Sequence, residues 1–174
     1  MTDMSMRAPR HACGHWRAGL LAAMLTLAGI LNPARAGDLA ASEISLGALI
    51  LQSGMGNLAT VNQAGRVSGV KLTQDGARQR LVVLQSGLSN RIEAAQDGTD
   101  NAARIMQDGQ GQTVRFVQHG RDNRADVFQR GAGNLALVDQ AGNGNHASVE
   151  QVGSGAVARV AQYGNGLAAY VVQH

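Results

Sequence analysis

From residue 46 to the C-terminus, polar and apolar positions recur with a single period. Gln stands at Gln52, Gln63, Gln74, Gln85, Gln96, Gln107, Gln118, Gln129, Gln140, Gln151, Gln162 and Gln173, an unbroken spacing of 11. Two residues after each of the first eleven comes Gly: Gly54, Gly65, Gly76, Gly87, Gly98, Gly109, Gly120, Gly131, Gly142, Gly153 and Gly164. Five residues after Gln the preference is Asn, met by Asn57, Asn90, Asn101, Asn123, Asn134 and Asn145. Ser68, Gln79 and Gln112 are polar substitutes there, and Ala156 and Leu167 depart from the pattern. Seven residues after Gln the chain is small or aliphatic, and nine after it is apolar, usually Val. The unit reads Q-x-G-x-x-N-x-A-x-V-x.

A period of 11 has two physical readings. A right-handed helical coiled coil repeats at about 3.67 residues per turn. It would place a Gly inside the helix in every unit, at roughly 1 kcal/mol each relative to Ala, without the Leu, Glu and Lys that could compensate. The alternative is a strand and a turn. Asn57, Ala59, Val61 and Gln63 alternate with Leu58, Thr60 and Asn62, the period-2 signature of two distinct faces. The x-G-x-x stretch is then the turn, with Gly free to take positive φ. The strand reading accounts for the whole pattern.

The faces follow from charge. Lys71, Arg80, Arg91, Glu93, Arg104, Arg115, Arg124, Asp126, Asp139, Glu150 and Arg159 all fall on the second face, so the Asn/Ala/Val/Gln face points inward. Predicted strands are 46–52, 57–63, 68–74, 79–85, 90–96, 101–107, 112–118, 123–129, 134–140, 145–151, 156–162 and 167–173. The expected fold is all-β: a β-solenoid of six 22-residue strand-turn-strand coils forming two facing parallel sheets. Coils about 4.8 Å apart give a stack near 29 Å tall with sheets roughly 10 Å apart. Inward amides need partners. Identical Gln and Asn side chains one coil apart are expected to supply them as hydrogen-bonded ladders.

Composition changes the picture at the N-terminus. Arg7, Arg10 and Arg17 precede an apolar run from Ala18 to Leu31, and Asn32-Pro33 then breaks it before Ala34-Arg35-Ala36. This is the layout of a secretory signal peptide spanning residues 1–36. Fourteen residues as a helix reach only about 21 Å, short of a bilayer core of roughly 30 Å. Residues 37–45 read as a short targeting or linker segment, and 46–174 as the repeat domain. Both prolines, the single Cys and the single Trp lie in the leader. So do four of the fifteen basic residues and one of the twelve acidic ones, leaving eleven of each. A chain of zero net charge gives no argument for a specific nucleic-acid partner. With no Pro and no net charge, it is permissive for association through strand edges.

Candidate chemistry is sparse. The carboxylates sit singly, with no recurring pair beside a nucleophile or His, so no enzyme is expected. Calcium-binding Gly-Gly-x-Gly-x-Asp turns are absent from the sequence, and His119, His146 and His174 are too scattered for a metal site. No cofactor is expected. The ends of the stack are more informative. Leu46 to Gln52 and Leu167 to Gln173 are uncharged, β-prone and without Pro, the profile of cross-β segments. Asp75, Asp97, Asp108 and the outward Arg residues read as gatekeepers against premature assembly. A secreted β-solenoid adhesin that never polymerises is the alternative.

The repeats resemble those of the curlin family, the subunits of bacterial curli fibres, over Ala41 to His174. Asn57 to Gln63, Asn90 to Gln96 and Asn134 to Gln151 carry the resemblance most closely. The stretch 134–151 looks more like the minor, nucleating subunit, whereas Gln173-His174 ends the chain without the basic final repeat of a nucleator. The resemblance implies a structural subunit or nucleator of an extracellular functional amyloid, a cell-surface fibre serving adhesion, aggregation and biofilm matrix. It implies secretion across the outer membrane by dedicated machinery. Self, homologous curli subunits, and surfaces or host matrix proteins are the implied partners.

Overall fold

The computed structural model describes residues 22–28, 34–35 and 46–174. The remainder of the expected leader and the 37–45 segment lie outside the described residues. Two short strands come first, β1 (Ala22–Ala28) and β2 (Ala34–Arg35). From Leu46 onward the chain alternates between two sheets. One contains β3 (Leu46–Met55), β5 (Ser68–Ala77), β7 (Arg91–Thr99), β9 (Thr113–Arg121), β11 (Leu135–Asn143) and β13 (Val157–Tyr163). The other contains β4 (Leu58–Arg66), β6 (Arg80–Leu88), β8 (Ala102–Gln110), β10 (Arg124–Ala132), β12 (His146–Ser154) and β14 (Ala168–Gln173).

Within these twelve strands every neighbouring pair is parallel and offset by 22 residues. Gln52 lies beside Gln74, Ala125 beside Ala147 and Val149 beside Val171. Two strands therefore close one coil, and six coils build an all-β solenoid of two stacked parallel sheets. At the N-terminal end β1 pairs antiparallel with β4, Ala22 opposite Ala64, and β2 pairs antiparallel with β3. At the C-terminal end β13 and β14 are the last strands of their sheets.

The inward apolar residues form one continuous core. Ile50, Leu72, Phe116, Val138 and Val160 from one sheet face Val61, Val83, Ile105, Val127 and Val149 from the other, all buried. Burial at roughly 25 cal/mol per Å² makes this stripe the main stabilising contribution. Alternation along each strand puts every second side chain into it, as in the buried-intermediate pattern of Leu135–Asn143.

The turn differs from the sequence expectation. Strands β3 to β12 continue three residues beyond Gln, through the Gly, because backbone pairing between coils persists there: Gly65 lies beside Gly87 and Arg66 beside Leu88. The chain bends two residues after the Gly instead. Every residue at that place is left-handed: Gly56, Val67, Arg78, Ser89, Asp100, Gly111, Asp122, Gly133, Gly144, Gly155 and Gly166 have φ between +53° and +69°. The Gly two residues after Gln answers a different demand. A Cβ on Gly87 would overlap the carbonyl oxygen of Gly109 in the next coil, and the column from Gly54 to Gly142 repeats that close approach. Glycine there permits the coil spacing itself.

Candidate functional site: the amide columns and the open coil ends

The inward glutamines form two columns, one per sheet. In the first, Gln52 donates Nε2–H to Oε1 of Gln74 (2.6 Å), and Gln74, Gln96, Gln118 and Gln140 pass the same bond on to Gln162 at 2.7–2.8 Å. In the second, Gln63, Gln85, Gln107, Gln129 and Gln151 link to Gln173 at 2.8–2.9 Å. Apart from Gln173 at the open end, all these residues are buried. The second amide proton crosses the core to a carbonyl of the facing sheet, as from Gln129 to Thr113 O (3.2 Å) and Gln162 to His146 O (3.1 Å). Most of these glutamines therefore tie their coil to the next and one sheet to the other. Burial in low dielectric makes such a satisfied network rigid and any orphaned member costly.

The asparagines do not stack amide on amide, a second departure from the expected ladders. Asn101 donates from Nδ2 to Asp97 O (3.0 Å) and to Gly120 O in the next coil (3.0 Å). Its Oδ1 accepts the backbone N–H of Asn123 at 3.1 Å. Asn57, Asn90, Asn123, Asn134 and Asn145 make the same set. The short Asn side chain reaches backbone on both sides of the bend, so it staples turn to turn where Gln staples strand to strand. Gln79 and Gln112 keep the two donor bonds, yet their extra methylene carries Oε1 past the N–H, and both oxygens are buried without a partner. The sequence shows these two as polar substitutes; the half-satisfied geometry needed the structure.

The outer faces hold ion pairs that follow the same 22-residue step. Arg78 grips Asp100 through two bonds of 2.7 Å, from Nε and Nη2. Asp97 faces His119 at 3.4 Å, and Asp108 meets Ser86 at 2.8 Å and Arg130 at 3.6 Å. Asp75, the remaining expected gatekeeper, sits at the exposed end of β5. Among the described residues no group of three His, Cys, Asp or Glu could hold a metal ion. No helix there is long and apolar enough to cross a membrane.

The two coil ends differ from the interior. Val157, Tyr163, Leu167, Tyr170 and Val172 on the last coil are large exposed apolar side chains. Tyr163 donates to Asp139 (2.8 Å), and Tyr170 stands edge-on to His146 with ring centroids 5.6 Å apart. Ala169 and Val171, inward on β14, are only partly buried because no further coil covers them. At the other end, Oε1 of Gln52 is buried without a partner.

Two overlapping stretches, residues 98–127 and 120–153, match the curlin associated repeat. The match supports placing the chain with the curlin-repeat proteins and falls on the central coils, where the Gln, Gly and Asn columns are most regular. No curated protein and no solved structure matches the chain. The polar groups of these columns bond to backbone or to the neighbouring repeat, the buried Oε1 atoms of Gln52, Gln79 and Gln112 excepted.

Proposed function

We propose that this chain is a subunit of an extracellular curli-type amyloid fibre, polymerising by placing the first coil of one molecule on the last coil of another. One observation carries this reading: the interface between coils is made of backbone pairing and Gln–Gln amide bonds that repeat every 22 residues, and the last coil leaves Val157, Tyr163, Leu167, Tyr170 and Val172 exposed. Natural solenoids that stay monomeric cap such an edge. Residues 1–36 act as the secretion leader and 46–174 as the polymerising domain. The stretch 134–151 favours the minor, nucleating role, with adhesion and biofilm matrix as the output and cell-surface fibre as the location.

The test is to incubate the purified chain and record sedimentation, thioflavin fluorescence and fibre diffraction. Fibres with a meridional reflection near 4.8 Å are expected. A chain that stays monomeric at high concentration would support a non-polymerising adhesin instead. Substoichiometric addition to a major curli subunit separates the roles: abolition of its lag phase marks a nucleator, and an unchanged lag marks a bulk subunit.

A further inference from the structure

We propose that the two ends of the solenoid are unequal docking surfaces: the N-terminal coil is the better-equipped acceptor, fitted for a homologous repeat chain whose last coil carries Asn where this chain has Ala156 and Leu167. The inference rests on the coil-on-coil assembly proposed above.

The glutamine columns have a direction. Each Nε2 donates towards the C-terminal neighbour, and each Oε1 accepts from the N-terminal one. The direction is fixed by the second amide proton, which meets a carbonyl across the core; a reversed amide would turn oxygen towards oxygen there. The stack therefore presents acceptors at one end and donors at the other. Gln52 Oε1, buried and unpartnered, is the open acceptor. Only head-to-tail docking pairs it, with Gln162 of an incoming chain taking the place that Gln52 takes on Gln74.

The asparagine columns run the same way but stop short. Each interior Asn donates to a Gly carbonyl of the following coil and accepts a backbone N–H from it. In the last coil both Asn positions are lost, to Ala156 and Leu167. A second copy of this chain docked on that face would gain the two Gln bonds and none of the Asn bonds. An Asn at 167 would meet Gly54 O and the N–H of Asn57, and one at 156 would meet the N–H of Leu46. These three groups are present on the N-terminal coil, while the carbonyl that an Asn at 156 would also reach belongs to Glu43, outside the described residues; the acceptor face is thus equipped at three of four places and the donor face at none. In the full chain the backbone of the acceptor edge is paired with β1 and β2, both within the expected leader. Removal of the leader opens it.

A second position isolates the docking itself. Along the Gly column a Cβ meets the carbonyl of the next coil, but at Gly164 the nearest atom is Leu167 Cδ1 at 3.5 Å, because no coil follows. Gly164→Ala strains one terminal turn in the monomer and obstructs only an incoming coil.

The experiment measures seeded elongation rate and critical concentration for wild type, Gly164→Ala and the double variant Ala156→Asn, Leu167→Asn. Each is made as the full chain and from Gly37, with far-UV circular dichroism as the check on folding. The double variant serves as the probe for the Asn-bearing partner. Gly164→Ala is expected to abolish elongation, and the double variant to lower the critical concentration about tenfold or more. Unimpaired elongation of Gly164→Ala, or no elongation by wild type, overturns coil-on-coil assembly and this inference with it. Obstruction by Gly164→Ala with an unchanged critical concentration in the double variant leaves assembly standing and overturns the unequal ends. Should the double variant fail to fold, Leu167→Asn alone decides by the same criterion.

Discussion

Gln118 gives one amide proton to Oε1 of Gln140, 2.7 Å away in the next coil, and turns the other towards Ala102 O across the core at 3.4 Å. The side chain is fully buried, so its polarity is tolerable only because each of its groups has a partner. The relationship explains why the sequence keeps Gln at a spacing of 11 without exception. A hydrophobic residue of equal size would fill the space but would leave its neighbours' donors and acceptors orphaned.

Truncating Gln96 and Gln118 together to Ala removes two consecutive members of one column. The buried groups left behind on Gln74 and Gln140 should each cost roughly 1–3 kcal/mol. The outward pair Arg104→Ala, Arg115→Ala should change stability by less than about 1 kcal/mol, since both side chains are exposed. Urea unfolding followed by circular dichroism compares them. A larger loss from the arginine pair contradicts the network account.

Gln79 and Gln112 offer the opposite experiment. Their Oε1 atoms are buried and unpartnered, whereas Asn101 Oδ1, one coil after Gln79, accepts the N–H of Asn123. Gln79→Asn and Gln112→Asn should each stabilise the fold by about 1 kcal/mol by satisfying a buried acceptor. An unfolding midpoint that falls on either substitution would show that the extra methylene contributes more in packing than the oxygen loses.

Val67 stands at the left-handed bend with φ +53°. A β-branched side chain is strained there by about 1–2 kcal/mol, and six of the eleven equivalent residues are Gly. Val67→Gly should therefore stabilise the protein by about 1 kcal/mol, read in the same denaturation assay. The same change at an ordinary strand position would destabilise it by a similar amount.

How much of this was legible beforehand can be followed through particular residues. The inward set from Asn57 to Gln63 was readable because a strand's two-residue alternation is written directly in side-chain polarity, and charge then tells inside from outside. The 22-residue coil followed from the 11-residue unit. The position of the bend was not readable. Gly65 looks like a turn glycine, yet it lies in a strand, and the bend falls on Val67, a residue with no turn propensity. Covalent continuity with a regular column holds Val67 in place, and no local rule announces that. The asparagine bonds were hidden for a related reason. They go to backbone four residues before and nineteen after, and backbone acceptors leave no trace in composition.

The Arg78 guanidinium, bonded to Asp100, holds that carboxyl below its usual value, and Arg91 does the same for Glu93. Both acids are more protonated in the unfolded chain than in the folded one at a given low pH. Their contribution is thus complete above the ordinary carboxylate range and disappears as pH falls through the lowered folded values. Stability should decline on acidification in that window. Asp100→Asn should flatten part of the decline, read as the unfolding midpoint against pH. Because both pairs are exposed, 1 M salt should weaken the effect. An Asp100→Asn profile identical to wild type would leave the ion pair without a part in acid sensitivity.

Deletions test whether the coil, and not the 11-residue unit, is the structural quantum. Removing residues 90–111 joins Ser89 to Gln112, which takes the column place of Asn90. Every later strand stays on its own sheet, and the outward columns stay on their own faces. A five-coil solenoid should result, able to elongate at a rate close to that of wild type. Removing 90–100 instead joins Ser89 to Asn101 and sends each later strand to the opposite sheet. The inward residues tolerate this, since both sheets carry Gln, Ala and Val; the Arg78–Asp100 and Asp97–His119 pairs vanish in both deletions, which each remove Asp97 and Asp100, and so do not distinguish them. More consequentially, the stack then ends half a coil out of step: one sheet has six strands and the other five. A following molecule begins with a strand of the β3 sheet and continues on the β4 sheet, so one of the two edges it meets lies a full strand spacing too far away, about 4.8 Å. In the wild-type orientation docking can satisfy one amide column and not both, and the half-turned orientation that satisfies both sets every outward column on the opposite face. The 11-residue deletion should therefore fold with a β-sheet spectrum like that of the 22-residue deletion yet elongate seeds at least about tenfold more slowly, the consequence of losing half of a cooperative interface. Seeded thioflavin kinetics on matched monomer concentrations give the comparison, and equal rates for the two deletions would mean that assembly does not read the coil register at all.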